Sequence, residues 1–87
     1  MKIWYKLVRN NHMIKDTTVC DDSADTRTHK IMRGTEEACH RLDTGIPIWL
    51  DVNIREFKRF ARTRFTKDSF VEGLDADYLE IEVIEED

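Results

Sequence analysis

Two β-patterned stretches flank an Asn-Asn pair in the first twenty residues, and together they commit this part of the chain to an antiparallel hairpin. Ile3, Tyr5 and Leu7 alternate with Trp4, Lys6 and Val8, and Met13 to Cys20 repeats the β-rich character through Ile14, Thr17, Thr18 and Val19. Asn10 and Asn11 lie between them and tolerate the left-handed backbone that a tight type I′ turn requires at both central residues. The first strand carries bulky apolar groups on both faces, so both faces are expected to be at least partly covered. One layer of helix would leave Trp4 and Val8 looking for a partner.

Helical periodicity follows. Asp21, Asp22 and Ser23 offer N-cap side chains, and Asp25 suits the positive end of a helix dipole. Ala24, Thr28, Ile31, Thr35, Ala38 and Leu42 recur at spacings of four and three, with Met32 and Cys39 widening the stripe. Gly34 sits inside this helix at a cost of about 1 kcal/mol relative to Ala, which a close helix contact would offset. Thr44-Gly45-Ile46-Pro47 stops the helix, with Gly45 near the C-cap and the proline just beyond. Ile46 to Leu50 is long enough only for a short strand or an apolar bridge. Asn53 with Glu56 three residues later has the form of a capping-box variant, so a second helix is expected to start there, with Ile54, Phe57, Phe60 and Ala61 on one arc. Arg64 would fall inside that arc, which places the helix end near Thr63. Residues 65–73 take no assignment. Leu79, Ile81 and Val83 alternate with Tyr78, Glu80 and Glu82, predicting a half-buried strand with an acidic outer face, after which the last two or three residues, Glu85 to Asp87, are expected to fray.

These elements predict an α+β fold. The expected architecture is a two-layer sandwich of a small antiparallel or mixed sheet and two helices, in the order β-β-α-(β)-α-β. A chain of 87 residues builds one core, so residues 1–87 are expected to form a single small domain. Met1 to Arg9 is too short and too charged for a signal peptide, and no apolar run approaches the roughly 18 residues of a membrane span. A cytoplasmic location follows as the expectation, with Cys20 and Cys39 as reduced thiols.

Charge is sorted along the chain. Residues 1–54 carry eight basic and eight acidic side chains, residues 55–67 are net five positive, and residues 68–87 are net nine negative with no Lys or Arg. On a continuous helix Arg55, Arg59 and Arg62 would lie at i, i+4 and i+7, flanked by Lys58, as a guanidinium row about 10 Å long at about 1.5 Å per residue. A planar guanidinium fork suits carboxylate and phosphate alike. The row therefore fits an acidic protein, a nucleic-acid backbone, the acidic stretch of this same chain, or plain solvent. Overall acidity argues against general affinity for nucleic acid. The interleaved Phe57, Phe60 and Phe65 are spaced for a core before they are spaced for stacking on bases.

Other chemistry finds little footing. His29 and His40 share a helix face but stand eleven residues apart, roughly 16 Å, far beyond the reach of one metal ion; no metal or cofactor site is expected. Asp68, Asp75 and Asp77 lack the spacing of a calcium loop. Cys39 and His40 are adjacent on a helix and project about 100° apart, so they form no nucleophile–base pair. No catalytic residue is expected, and an enzyme built on an apolar pocket near Trp49 and Tyr78 is the remotest reading. The leading expectation is a noncatalytic domain working by protein association, with a homodimer as one form of it. The alternative is a nucleic-acid accessory protein using Arg55, Lys58, Arg59 and Arg62.

Overall fold

Alternation and turn chemistry produce the hairpin first. In the computed structural model, which describes residues 1–87, strands β1 (Lys2–Arg9) and β2 (His12–Cys20) pair antiparallel around Asn10 and Asn11, whose φ values of 53° and 63° are those of a type I′ turn. A bulge at Leu7/Val8 shifts the register so that Val8 faces Met13. The hairpin tip is tied down by the approach to the last strand: Asn10 N–H donates to Asp77 Oδ2 at 2.8 Å and Asp77 N–H to Val8 C=O at 2.8 Å.

The full order is β1, β2, α1 (Arg27–Leu42), α2 (Asp51–Phe60), β3 (Arg62–Phe65), a 3₁₀ turn at Lys67–Ser69, and β4 (Tyr78–Glu85). The four strands form one antiparallel sheet in the order β2-β1-β4-β3. The fold is α+β as predicted, but the strand offered for Ile46 to Leu50 is absent and the fourth strand is β3 instead. Pro47 is buried and has no N–H to give a ladder, while the bridge lies outside the sheet with Ile46, Ile48 and Leu50 exposed and Trp49 half-buried. Trp49 meets Phe57 and Phe65 edge-on, with ring centroids 5.3 and 4.9 Å away.

The core lies between the inner sheet face and the helices. Ile3, Tyr5, Leu7, Val19, Phe65, Leu79 and Ile81 are buried from the sheet, and Ile31, Ala38, Cys39, Leu42 and Phe57 from the helices. Helix α1 sits close because Gly34 has no side chain. A Cβ there would stand 2.9 Å from Tyr5 Oη and 3.3 Å from Ile3 Cδ1. The close contact that a mid-helix glycine implies is therefore with β1. Thr35 Oγ1 donates to Ile31 C=O at 2.8 Å, so the Tyr5 hydroxyl is the donor in its 3.2 Å bond to Thr35.

Both helix starts differ from expectation. The N-cap of α1 is Thr26, whose Oγ1 accepts from His29 N–H at 3.2 Å. Asp21 and Asp25 are drawn instead into ion pairs with Arg33, at 2.8 and 2.5 Å, and clamp the loop before the helix. Ala24 stays outside the helix, Thr28 and Met32 are exposed, and the inward stripe takes in Lys30. The α1 C-terminus turns on Asp43, left-handed at φ 59°, two residues before Gly45. In α2, Leu50 is the N-cap and Asn53 is the third helical residue, fully buried. Its Oδ1 accepts from Leu50 N–H at 3.0 Å, and its Nδ2 donates to Thr63 Oγ1 at 3.0 Å and Arg64 C=O at 2.9 Å. Thr63 Oγ1 donates in turn to Glu56 at 2.6 Å. Asn53 is thus a bolt between α2 and β3.

Helix α2 ends at Phe60, three residues before Thr63, because Ala61 enters the left-handed region at φ 55°. Val83 N–H donates to Ala61 C=O, so the antiparallel alternation turns the backbone of Arg62 and Arg64 toward the sheet edge. There the Arg64 carbonyl is taken by Asn53 of α2. Past β4, Glu86 and Asp87 are exposed and reach Arg27 and Lys30 on α1. No helix is long and apolar enough to cross a membrane.

Candidate partner-binding surface

The acids of β4 find their counter-charges on the open face of the sheet, opposite the helices. Glu80 contacts Lys6 Nζ at 2.6 Å and Arg64 Nε at 2.9 Å, Glu82 contacts Lys6 at 3.1 Å, and Glu85 contacts Lys2 at 3.5 Å. Lys6 also stands 4.0 Å over the Trp4 ring, and Arg64 4.3 Å over Tyr78. Trp4 Nε1 donates to Asp16 at 2.9 Å. The second apolar face of β1 is thus covered by cross-strand neighbours within the chain, with Trp4 and Val8 half-buried. Both aromatic rings on this face carry a cation of the chain itself. Burial alone would raise the Glu80 carboxyl, but hydrogen bonds and charge from Lys6 and Arg64 outweigh it and hold the group below its ordinary value.

The arginine row is left out of this lattice. Arg55, Lys58 and Arg59 lie exposed on α2, while Arg62 lies on β3, since Ala61 breaks the continuous helix that the i, i+4, i+7 spacing assumed. No carboxylate lies within 4.0 Å of any of the four. Every other arginine is paired: Arg9 with Asp75, Arg27 with Glu86, Arg33 with Asp21 and Asp25, Arg41 with Glu37, and Arg64 with Glu80. Of the row, Arg62 stands opposite Glu82 across the β3–β4 ladder without an ion pair inside 4.0 Å, while Arg55, Lys58 and Arg59 on α2 make none with the acidic strand.

Aliphatic side chains flank these cations on both sides of α2. On α2, Val52 (47 % exposed) lies three and seven residues before Arg55 and Arg59, and Ile54 (40 % exposed) lies four before Lys58. Ile48 and Leu50 extend the apolar strip along the bridge, and Phe60 at the helix end is exposed with Arg59 5.3 Å from its centroid. Of the three phenylalanines between the cations, Phe57 and Phe65 are core and only Phe60 faces out. The arc expected to bury Ile54, Phe57 and Phe60 together buries Phe57 alone, because a ten-residue helix anchored by Asn53 presents only a narrow inner face. The period-two outward placement of Ile46, Ile48 and Leu50 was readable in the sequence as a possible strand, but its exposure depends on the bridge lying outside the sheet.

The remaining candidates are scattered. No group of three or more His, Cys, Asp and Glu side chains stands where it would hold a metal ion. Cys20 and Cys39 are both free; burial pushes the Cys39 thiol up. Trp49 belongs to the helix side and Tyr78 to the open sheet face, so they line no common pocket. Asp75 pairs with Arg9 at 3.5 Å and Asp77 holds the hairpin turn, so this acidic segment is used in supporting the fold.

No protein-family model matches the chain, and no curated protein and no solved structure matches it.

Proposed function

We propose that this chain is a noncatalytic, cytoplasmic protein-association domain whose docking face is the outer surface of α2 with Arg62 beside it. One observation carries the reading: in an acidic chain where every other arginine has a carboxylate, Arg55, Arg59 and Arg62 have none, and they stand among exposed aliphatic side chains. Cations mixed with Val52, Ile54 and Leu50 suit a protein surface that brings both carboxylates and apolar groups. A nucleic-acid backbone would satisfy only the charges, and Trp4 and Tyr78 are already covered by Lys6 and Arg64. The surplus of cations on this face, Arg55, Lys58, Arg59 and Arg62 against the exposed Asp51 and Glu56, disfavours the homodimer through it. Free Cys20 and Cys39 suit a reducing compartment.

The test is cross-linking in cells of the wild-type chain and of an Arg55→Glu/Arg59→Glu variant, followed by reconstitution of the captured pair from purified proteins. The expected result is a defined protein complex, carboxylate-rich at its contact, that the charge reversal abolishes while the fold persists. A captured complex indifferent to the reversal, or salt-sensitive binding of RNA or DNA removed by the same changes, would refute the reading.

A further inference from the structure

Three surfaces were candidates for more than the fold needs: the groove under the hairpin tip, the free edge of β2, and the α2 face. The groove, floored by Leu7, Leu42 and Phe70, is rimmed by both Lys15 and Glu72, and its charges select no occupant. The β2 edge is already guarded where Arg41 donates to Thr18 C=O at 3.0 Å. The α2 face has charge, apolar contacts and a definite spacing.

We infer that the occupant of this face is an acidic amphipathic helix of another protein, packed on α2 side chain to side chain. This deepens the association reading and presupposes the face proposed there. Strand addition on this side is poorly supported, because β3 is only four residues long and Asn53 already holds its Arg64 carbonyl, so an extended acidic peptide finds a short, partly occupied ladder. What remains open to a partner is a helical surface. On it Arg55 and Arg59 stand one turn apart, about 6 Å along the axis at ~1.5 Å per residue. Two Glu side chains four residues apart on a partner helix have the same rise, so each guanidinium fork meets one carboxylate without distortion of either helix. Val52 lies on the same side as Arg55 and Arg59, and Ile54 beside Lys58, which calls for Leu-type side chains flanking the acids of the partner. A copy of this chain does not supply that pattern: on α1 its acids Glu36 and Glu37 are adjacent, with Glu37 paired to Arg41, and on α2 Asp51 and Glu56 are five residues apart among the cations.

The experiment uses the whole 87-residue chain. Three probes are titrated against it by fluorescence anisotropy: a ~20-residue helical peptide with Glu at i and i+4 flanked by Leu on one face, a peptide of the same composition with Glu and Leu on opposite faces, and a thymidine oligonucleotide of about 20 nucleotides. The first is expected to bind at least about tenfold tighter than the other two, and each of Arg55→Gln and Arg59→Gln is expected to weaken it roughly three- to fivefold. Equal binding of the two peptides, or no binding of either, overturns the helical occupant and leaves the association face to be judged by its cellular complex. Preference for the oligonucleotide overturns both.

Discussion

Gly34 and Tyr5 show how a single missing atom sets the distance between layers. An alanine at position 34 gains about 1 kcal/mol of helix propensity but drives its methyl to 2.9 Å from Tyr5 Oη. The predicted net effect of Gly34→Ala is a loss of up to about 2 kcal/mol, the ~1–3 kcal/mol cost of overpacking a tight contact less that gain. Tyr5→Phe removes the obstructing oxygen along with its bond to Thr35, and in that background Gly34→Ala is expected to become neutral or stabilising. A double-mutant cycle by urea denaturation measures it; additive effects would mean the approach is not set by these two residues. Asn53 is the other residue on which much depends. Asn53→Ala removes three hydrogen bonds in the interior and is predicted to cost about 2–3 kcal/mol, and Asn53→Asp at least as much, because the carboxylate oxygen that replaces Nδ2 meets the Arg64 carbonyl acceptor to acceptor. Thermal midpoints of the two variants, both well below wild type, would check the bolt.

At the scale of elements, the open sheet face is a lattice of carboxylates and cations rather than an apolar layer, and it makes stability depend on pH. The folded Glu80 carboxyl titrates below its ordinary value of 4.5, so its contribution is present above about pH 4.5 and is lost as pH falls toward the folded value. Glu86, held down by Arg27, adds in the same direction. Urea midpoints between about pH 6 and 3 are expected to fall more steeply for wild type than for Glu80→Gln; parallel slopes would remove Glu80 from the account. What the sequence displayed of these elements follows from how local each determinant is. The hairpin was legible because alternation and two asparagines act within twenty residues, and β4 because its alternation is strong. Strand β3 was not, since four residues carry too little period and their strand character comes from pairing with β4. The helix starts shifted for a similar reason. Asp21 and Asn53 look like caps locally, yet long-range partners, Arg33 for one and Thr63 and Arg64 for the other, claim their side chains.

For the whole molecule, the sorted charge resolves into two separate arrangements. The acidic end is neutralised by Lys2, Lys6, Arg27, Lys30 and Arg64, drawn from β1, α1 and β3, while the densest basic stretch turns its α2 cations to solvent. The row was visible in the sequence as composition; its lack of partners was not, because that depends on where β4 folds back. Its surplus of cations over Asp51 and Glu56 predicts a monomer at tens of micromolar by light scattering, and a dimer formed across α2 would contradict the assignment of this face to a different partner. The most direct measurement is the urea unfolding midpoint of the Arg55→Gln/Arg59→Gln/Arg62→Gln variant, since glutamine keeps the helix propensity at 55 and 59 and removes the charge at all three positions. The account predicts a change within about 1 kcal/mol, attributable to the helix dipole near Arg59, whereas a loss of roughly 2 kcal/mol or more would show that the row holds the fold together and is not free for a partner.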